Sequence, residues 1–137
     1  MKEYPASKKN YRDPNLTKLS DMEDCLFCKI VRGEIPATKI HEDEDTLVFL
    51  DIHPAAPVHF LLVPKQHIGS LSEVDMSHQQ LLGKMLWLAP RLAADQGCTD
   101  GFRTIINTGR VGGQEVFHLH IHVVGGKDRL PAMIHHS

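Results

Sequence analysis

The feature that most constrains this chain is a run of alternate histidines, His118, His120 and His122, interleaved with Leu119, Ile121 and Val123. Positions two apart diverge around an α-helix, but on an extended strand they share a face. The apolar partners then line the reverse side, the pattern of a strand with one buried face. The spacing predicts a strand over Val116–Val124 displaying three imidazoles about 7 Å apart. Immediately before it runs Gly109-Arg110-Val111-Gly112-Gly113-Gln114, whose glycines let backbone N–H groups converge on an anion. An anion cradle leading into a row of imidazoles suggests chemistry at phosphorus.

Three readings of that row stand side by side. The plainest is a set of solvated surface side chains. The second is a metal site with all three as ligands, because catalytic zinc often takes three protein ligands and a water. Against it, same-face strand neighbours converge two ligands readily, and a third usually comes from another element. The third reading is a nucleophilic histidine whose two neighbours orient it and relay protons.

The remaining composition narrows the setting. At 137 residues the chain fits one domain with a real core. Its 15 basic and 17 acidic residues, net −2, leave no electrostatic footprint for nucleic acid. Any phosphate must therefore be held locally. No apolar run approaches the roughly 20 residues of a membrane span, and the N-terminus lacks the apolar core of a signal peptide. Three cysteines, Cys25, Cys28 and Cys98, are an odd count that argues against a disulfide framework and for a reducing cytoplasm.

Along the chain, residues 1–20 are polar and without period and read as a flexible tail. Ser20-Asp21-Met22-Glu23 has capping-box spacing, and Asp24 is a competing N-cap, ahead of a short helix over Cys25–Val31 that Gly33 stops. Strands follow at Thr38–Glu42, Thr46–Ile52 and Val58–Val63, the last ending at Pro64. Ser70–Ser77 is mixed turn. Between about Ser77 and Gln96, Leu81, Leu82, Met85, Leu88, Ala89 and Leu92 share one helical face, although Pro90 should kink or split that helix. Phe102–Asn107 and Val116–Val124 supply the last strands. The sum is an α+β fold, a five-stranded antiparallel sheet with one long and one short helix. Lys127–Ser137 reads as a C-terminal tail.

His118-Leu119-His120-Ile121-His122-Val123-Val124 resembles the His-φ-His-φ-His-φ-φ signature of the histidine triad (HIT) superfamily. Gly125-Gly126 after it, and Gly112-Gly113-Gln114 before it, resemble the branch of histidine triad nucleotide-binding proteins that act as purine nucleoside phosphoramidases. The similarity runs from about Cys25 to Gly126, so residues 21–126 would form the HIT domain between the two tails. The resemblance implies hydrolysis of the P–N bond of purine nucleoside phosphoramidates such as AMP-linked lysine, with no cofactor required for catalysis. It also implies a homodimer paired through the long helix and a strand edge, which the apolar Leu81–Leu92 face would permit. A HIT dinucleoside polyphosphate hydrolase and a nucleotide-binding scaffold with vestigial catalysis are the rival readings.

Carried over residue by residue, the resemblance places the nucleophile at His120, with His122 on the phosphate or leaving group and His118 behind. His59 matches a further family histidine near the triad. Gly113, Gln114, Glu115 and Val116 are in position to donate to phosphate oxygens, where transition-state charge collects, and Asn107 matches a phosphate- or sugar-contacting asparagine. Glu115 is a departure, because many relatives carry serine there, and an ionised carboxylate cannot donate to a leaving group. Asp51 can accept bidentately from a ribose diol. Leu26, Phe27, Ile30, Phe49 and Ile52 resemble the apolar clamp on the purine. Cys25-x-x-Cys28 alone is a weak metal signal, and two buried free thiols would equally explain it. Some HIT relatives hold a structural zinc with such a pair and two histidines, which match His59 and His118 here. His53, His67, His78, His135 and His136 carry no assigned role.

Overall fold

The computed structural model describes residues 19–134, with side chains from Met22 onward. Of the expected N-terminal tail only Leu19 and Ser20 fall within that range, and they open a helix; the rest lies outside the described residues, as do His135 and His136. In order come α1 (Leu19–Asp24), α2 (Leu26–Val31), β1 (Lys39–Glu42), β2 (Thr46–Leu50), β3 (Val58–Pro64), 3-10 turns at Leu71–Glu73 and Met76–His78, α3 (Gln79–Asp95), β4 (Phe102–Ile105) and β5 (Ile121–Gly125). The strands form one antiparallel sheet in the order β1-β2-β3-β5-β4. The predicted α+β architecture is present, with two short helices where one was expected. The break falls at Cys25, whose extended backbone makes it the N-cap of α2 and whose Sγ accepts from the Cys28 amide at 3.3 Å.

Alternation along the strands divides the sheet into two faces. Val48, Phe60, Leu62, Ile121 and Val123 pack beneath α3, against Met85, Leu88, Ala89 and Leu92. Leu47, Phe49, Leu61 and Val63 pack beneath α2, against Phe27 and Ile30. The buried apolar residues of the long helix are thus spent on the chain's own core. What α3 leaves exposed is Leu86 and Trp87, with the Arg91 guanidinium stacked 3.9 Å over the Trp87 ring. The helix runs through Pro90 unbroken. Buried residues on both sides of the proline, Met85, Leu88, Ala89, Leu92 and Ala93, hold it against the sheet and outweigh one lost backbone bond.

The histidine strand is shorter than its sequence pattern suggests. Pairing in β5 begins at Ile121, so of the three histidines only His122 sits in the ladder. His118 and His120 lie on the approach, where backbone bonds go elsewhere: His118 N–H to the Val116 carbonyl and Leu119 N–H to the Ile68 carbonyl. The Leu119 bond, at 2.7 Å, ties the approach to the loop that follows β3.

Candidate active site

The three rings nevertheless gather on the α2 side of the sheet, and each has a distinct partner set. His120 Nδ1 lies 2.8 Å from the His118 carbonyl oxygen. A carbonyl only accepts, so the His120 proton is on Nδ1 and its Nε2 carries the free lone pair. The ring is buried, which pulls its pKa down from the ordinary value despite that hydrogen bond. A neutral imidazole with one nitrogen fixed as donor and the other bare is the form a nucleophile requires.

His122 stands beside it, ring centroids 4.9 Å apart. Burial foremost, then His120 and His59, hold its pKa down at about 4. Its Nδ1 is 3.0 Å from His59 Nε2, and His59 Nδ1 accepts from the Ala55 amide at 2.9 Å. An amide only donates, so the His59 proton must be on Nε2, pointing at His122 Nδ1. Neutral His122 is therefore left with its own proton on Nε2. The sequence motif alone gives no hint of this ordering; it depends on where the Asp51–Ala55 turn places one amide.

Asp51 closes the group, with Oδ2 3.4 Å from His59 Nε2 and Oδ1 accepting from the His53 amide at 2.8 Å. Asn107 lines a cavity of about 390 Å³ together with His59 and His122. Its far wall is the C-terminal segment around Leu130 and Met133, anchored where Arg103 Nη1 donates to the Pro131 carbonyl at 2.9 Å. Of the expected purine clamp, Leu26 and Ile52 are exposed, while Phe27, Ile30 and Phe49 are buried behind them.

The glycine loop is a built turn. Gly109 and Gly113 take positive φ, 71° and 79°, and a Cβ on Gly112 would stand 2.4 Å from the Thr108 oxygen. The Gln114 side chain, buried, accepts from the Gly109 amide and donates to the carbonyls of Gly69 and Val116. The Gly113 and Gln114 amides donate inside the turn, to Arg110 and Gly109. This narrows the expected set of phosphate donors: Gly113 and Gln114 shape the loop, and the amides of Glu115 and Val116 make no bond within the described residues. The Glu115 side chain is exposed.

His118 faces away from the other two. Its Nε2 donates to the Pro64 carbonyl at 2.8 Å, leaving Nδ1 unprotonated, 3.3 Å from Cys25 Sγ and 3.6 Å from Cys28 Sγ. Burial holds its pKa down at about 4. The fourth member is His67, with Nδ1 3.3 Å from Cys28 Sγ. The ligand atoms of Cys25, Cys28, His67 and His118 all lie within 4.8 Å of one another. Tetrahedral zinc with two sulfurs and two nitrogens has ligand–ligand edges of about 3.3–3.8 Å, so the donor set and spacing fit that ion. Burial, and Cys25 alongside, push the Cys28 thiol up to about 12.

His59 is not in this cluster, which corrects the ligand set expected from sequence. It pairs with Val124 near the opposite end of β3 from Pro64, and five residues of strand are about 17 Å. No single ion could reach both His59 and His118. His67 escaped the sequence reading because nothing in Lys65-Gln66-His67 is periodic. The β3–β5 register, which sets His118 across from the end of β3, is the signal that locates it.

The chain is similar to known proteins in sequence and in fold. A family model described as the HIT domain matches residues 32–129. Protein HitA of Neisseria gonorrhoeae is 56% identical over 104 residues, covering 76% of this chain and 97% of that protein. A purine nucleoside phosphoramidase of Escherichia coli is 41% identical over 114 residues, covering 82% of this chain and 96% of that protein. Among solved structures, a HIT family hydrolase from Clostridium thermocellum aligns with a TM-score of 0.77 at 44% identity, covering 82% of this chain and 98% of that one.

Proposed function

The chain belongs to the HIT domain family, and from that premise we propose that it is a nucleotide-binding hydrolase that cleaves the P–N bond of purine nucleoside phosphoramidates. The observation that carries the reading is the Nδ1–H of His120 held on the His118 carbonyl, which leaves Nε2 bare. Nε2 attacks phosphorus, the P–N bond breaks, and a nucleotidyl-His120 intermediate forms. Water then attacks the same phosphorus and the P–Nε2 bond breaks. The amine takes its protons from solvent as the P–N bond breaks and leaves as ammonium. The attacking water then leaves its oxygen on the nucleoside monophosphate and returns two protons to solvent, so the net reaction consumes one water.

His122 donates from Nε2 to a nonbridging oxygen, joined by the amides of Glu115 and Val116, so that donors surround the developing charge. Asn107 and the cavity of about 390 Å³ take the phosphate's far side and the leaving amine. Asp51 accepts the ribose diol. The purine lies against Leu26 and Ile52, with Phe27, Ile30 and Phe49 as its apolar floor. The identity to an E. coli purine nucleoside phosphoramidase supports this substrate class.

Cys25, Cys28, His67 and His118 would hold a structural zinc. When bound, it supplies stability by tying the N-terminus of α2 to the residues around the end of β3. The Pro64 carbonyl fixes the His118 tautomer that such a site needs. Exposed Leu86 and Trp87 and the open β4 edge support a homodimer, which sedimentation would read as twice the chain mass. Among the described residues no helix is long and apolar enough to cross a membrane. The three cysteines are free, and we keep the cytoplasmic setting as part of the reading.

The deciding experiment is rapid quench with an adenosine phosphoramidate followed by peptide mass spectrometry. The expected adduct is adenylate on His120, absent in His120→Ala. An adduct on another residue, or faster turnover of a dinucleoside polyphosphate than of the phosphoramidate, would reject the reading.

A further inference from the structure

His59 has one proton and faces two acceptors. With Nδ1 taken by the Ala55 amide, the proton sits on Nε2, 3.0 Å from His122 Nδ1 and 3.4 Å from Asp51 Oδ2. The ligand atoms of Asp51, His59 and His122 all lie within 4.8 Å of one another, yet a cation there would need the Nε2 lone pair while Nδ1 still accepts from Ala55. That would strip the ring of its only proton. The cluster is instead a shared proton, and the two acceptors differ in kind. Asp51 carries the charge, which strengthens its pull, while His122 has the shorter contact. Because Asp51 Oδ1 is occupied by the His53 amide, Oδ2 is the oxygen that competes.

We infer that a ribose diol at Asp51 decides which acceptor the His59 proton faces, so that the sugar sets His122 as a donor toward phosphate. The inference rests on the assignment of Asp51 as the ribose acceptor. In the empty site the N–H points at His122 Nδ1, but the Oδ2 charge 3.4 Å away competes for it, so the half-buried His122 ring is held less firmly in that tautomer. When two sugar hydroxyls donate to the carboxylate, its pull on His59 weakens and the N–H turns wholly to His122 Nδ1. The His59 proton stays on Nε2 and only the partner it points at changes, while His122, when less firmly held, exchanges between its two neutral tautomers. The hydroxyls then do more than hold the substrate. They assemble the phosphate donor, so part of their binding energy appears in kcat rather than KM. His59 is the positioning residue in this scheme.

Kinetics test it with adenosine phosphoramidate and its 2′,3′-dideoxy counterpart. The dideoxy substrate should lose about tenfold in kcat, the size of one hydrogen bond to a charged group, beyond any rise in KM. In Asp51→Asn the two substrates should share one kcat within about twofold, because the competing charge is gone. A purely anchoring Asp51 predicts a change in KM alone, and that result overturns the inference. A second measurement needs no turnover: ¹⁵N spectra of the His122 ring at saturating adenosine and at saturating 2′,3′-dideoxyadenosine. Adenosine should give the separated signals of one acceptor and one protonated nitrogen, and the dideoxy nucleoside averaged ones. Identical spectra overturn the coupling, as does failure of adenosine to bind. Loss of P–N hydrolysis with the spectral contrast intact would reject the phosphoramidase reading and still support the coupling.

Discussion

Phe27 meets His120 edge-on, ring centroids 5.1 Å apart and planes at 90°. The same ring touches Phe49 at 5.6 Å and His118 at 5.8 Å, so one α2 side chain links the second core cluster to the proposed nucleophile. Edge-to-face contacts of this kind fix ring orientation as well as bury area. Phe27→Ala should therefore act twice. Urea denaturation should show a loss of about 3–4 kcal/mol from the cavity, and kcat should fall as the His120 ring loses its edge-on support, apart from any rise in KM from the lost floor of the purine site. Phe27→Leu should recover much of the stability and less of the rate.

The metal cluster makes a prediction that separates two histidines. Protein purified without chelator should carry one zinc per chain by elemental analysis. Cys28→Ser and His67→Asn should each lose it, with a lower melting temperature. His59→Asn should keep the zinc and lose activity instead. Retention of zinc by His67→Asn, or its loss from His59→Asn, would contradict the geometry.

Gly112 tests the loop. A Cβ there would meet the Thr108 oxygen at 2.4 Å and the Thr108 nitrogen at 2.8 Å, both backbone atoms that cannot step aside cheaply. Gly112→Ala should distort the turn that presents the Glu115 and Val116 amides. AMP affinity by calorimetry should drop about tenfold or more, as for loss of a hydrogen bond to a charged oxygen, while the circular dichroism spectrum stays unchanged.

Acid should weaken both fold and activity in a defined window. Burial leads the causes holding His118 and His122 at about 4, against an ordinary 6.5. Between those values the unfolded chain binds protons that the folded chain refuses. Stability from these groups is therefore complete above pH 6.5 and is lost as pH falls toward 4. Urea midpoints measured across that range should fall with pH, and His122→Gln should shed about one proton from the slope. The rate should hold its plateau well below the pH at which a free imidazole titrates, because His120 and His122 work as neutral rings.

Much of this molecule was legible in its residues, for reasons that differ by element. An apolar run bounded by prolines exposed β3, and alternation exposed the sidedness of the histidine run, because each leaves a local trace. The α3 periodicity was equally plain, yet whether its face met the chain's own sheet or a second subunit is a tertiary fact that local pattern does not contain. Strand ends were misjudged where competing backbone bonds intervene, as at His118 and Leu119. The pairing of His67 with Cys28, and of Ala55 with His59, depends on register and turn geometry across 39 and 4 residues respectively. Neither leaves a mark in composition or spacing.

His118 offers its ring to two sulfurs and, from the same Cα, its carbonyl to His120. One Cα joins the two duties. Anything that frees the imidazole from its sulfur neighbours, whether a chelator or oxidation of a thiol, would also let that carbonyl swing and release the adjacent ring to turn over. Such an enzyme would slow down in a thiol-oxidising or metal-starved environment while its substrate pocket remained whole.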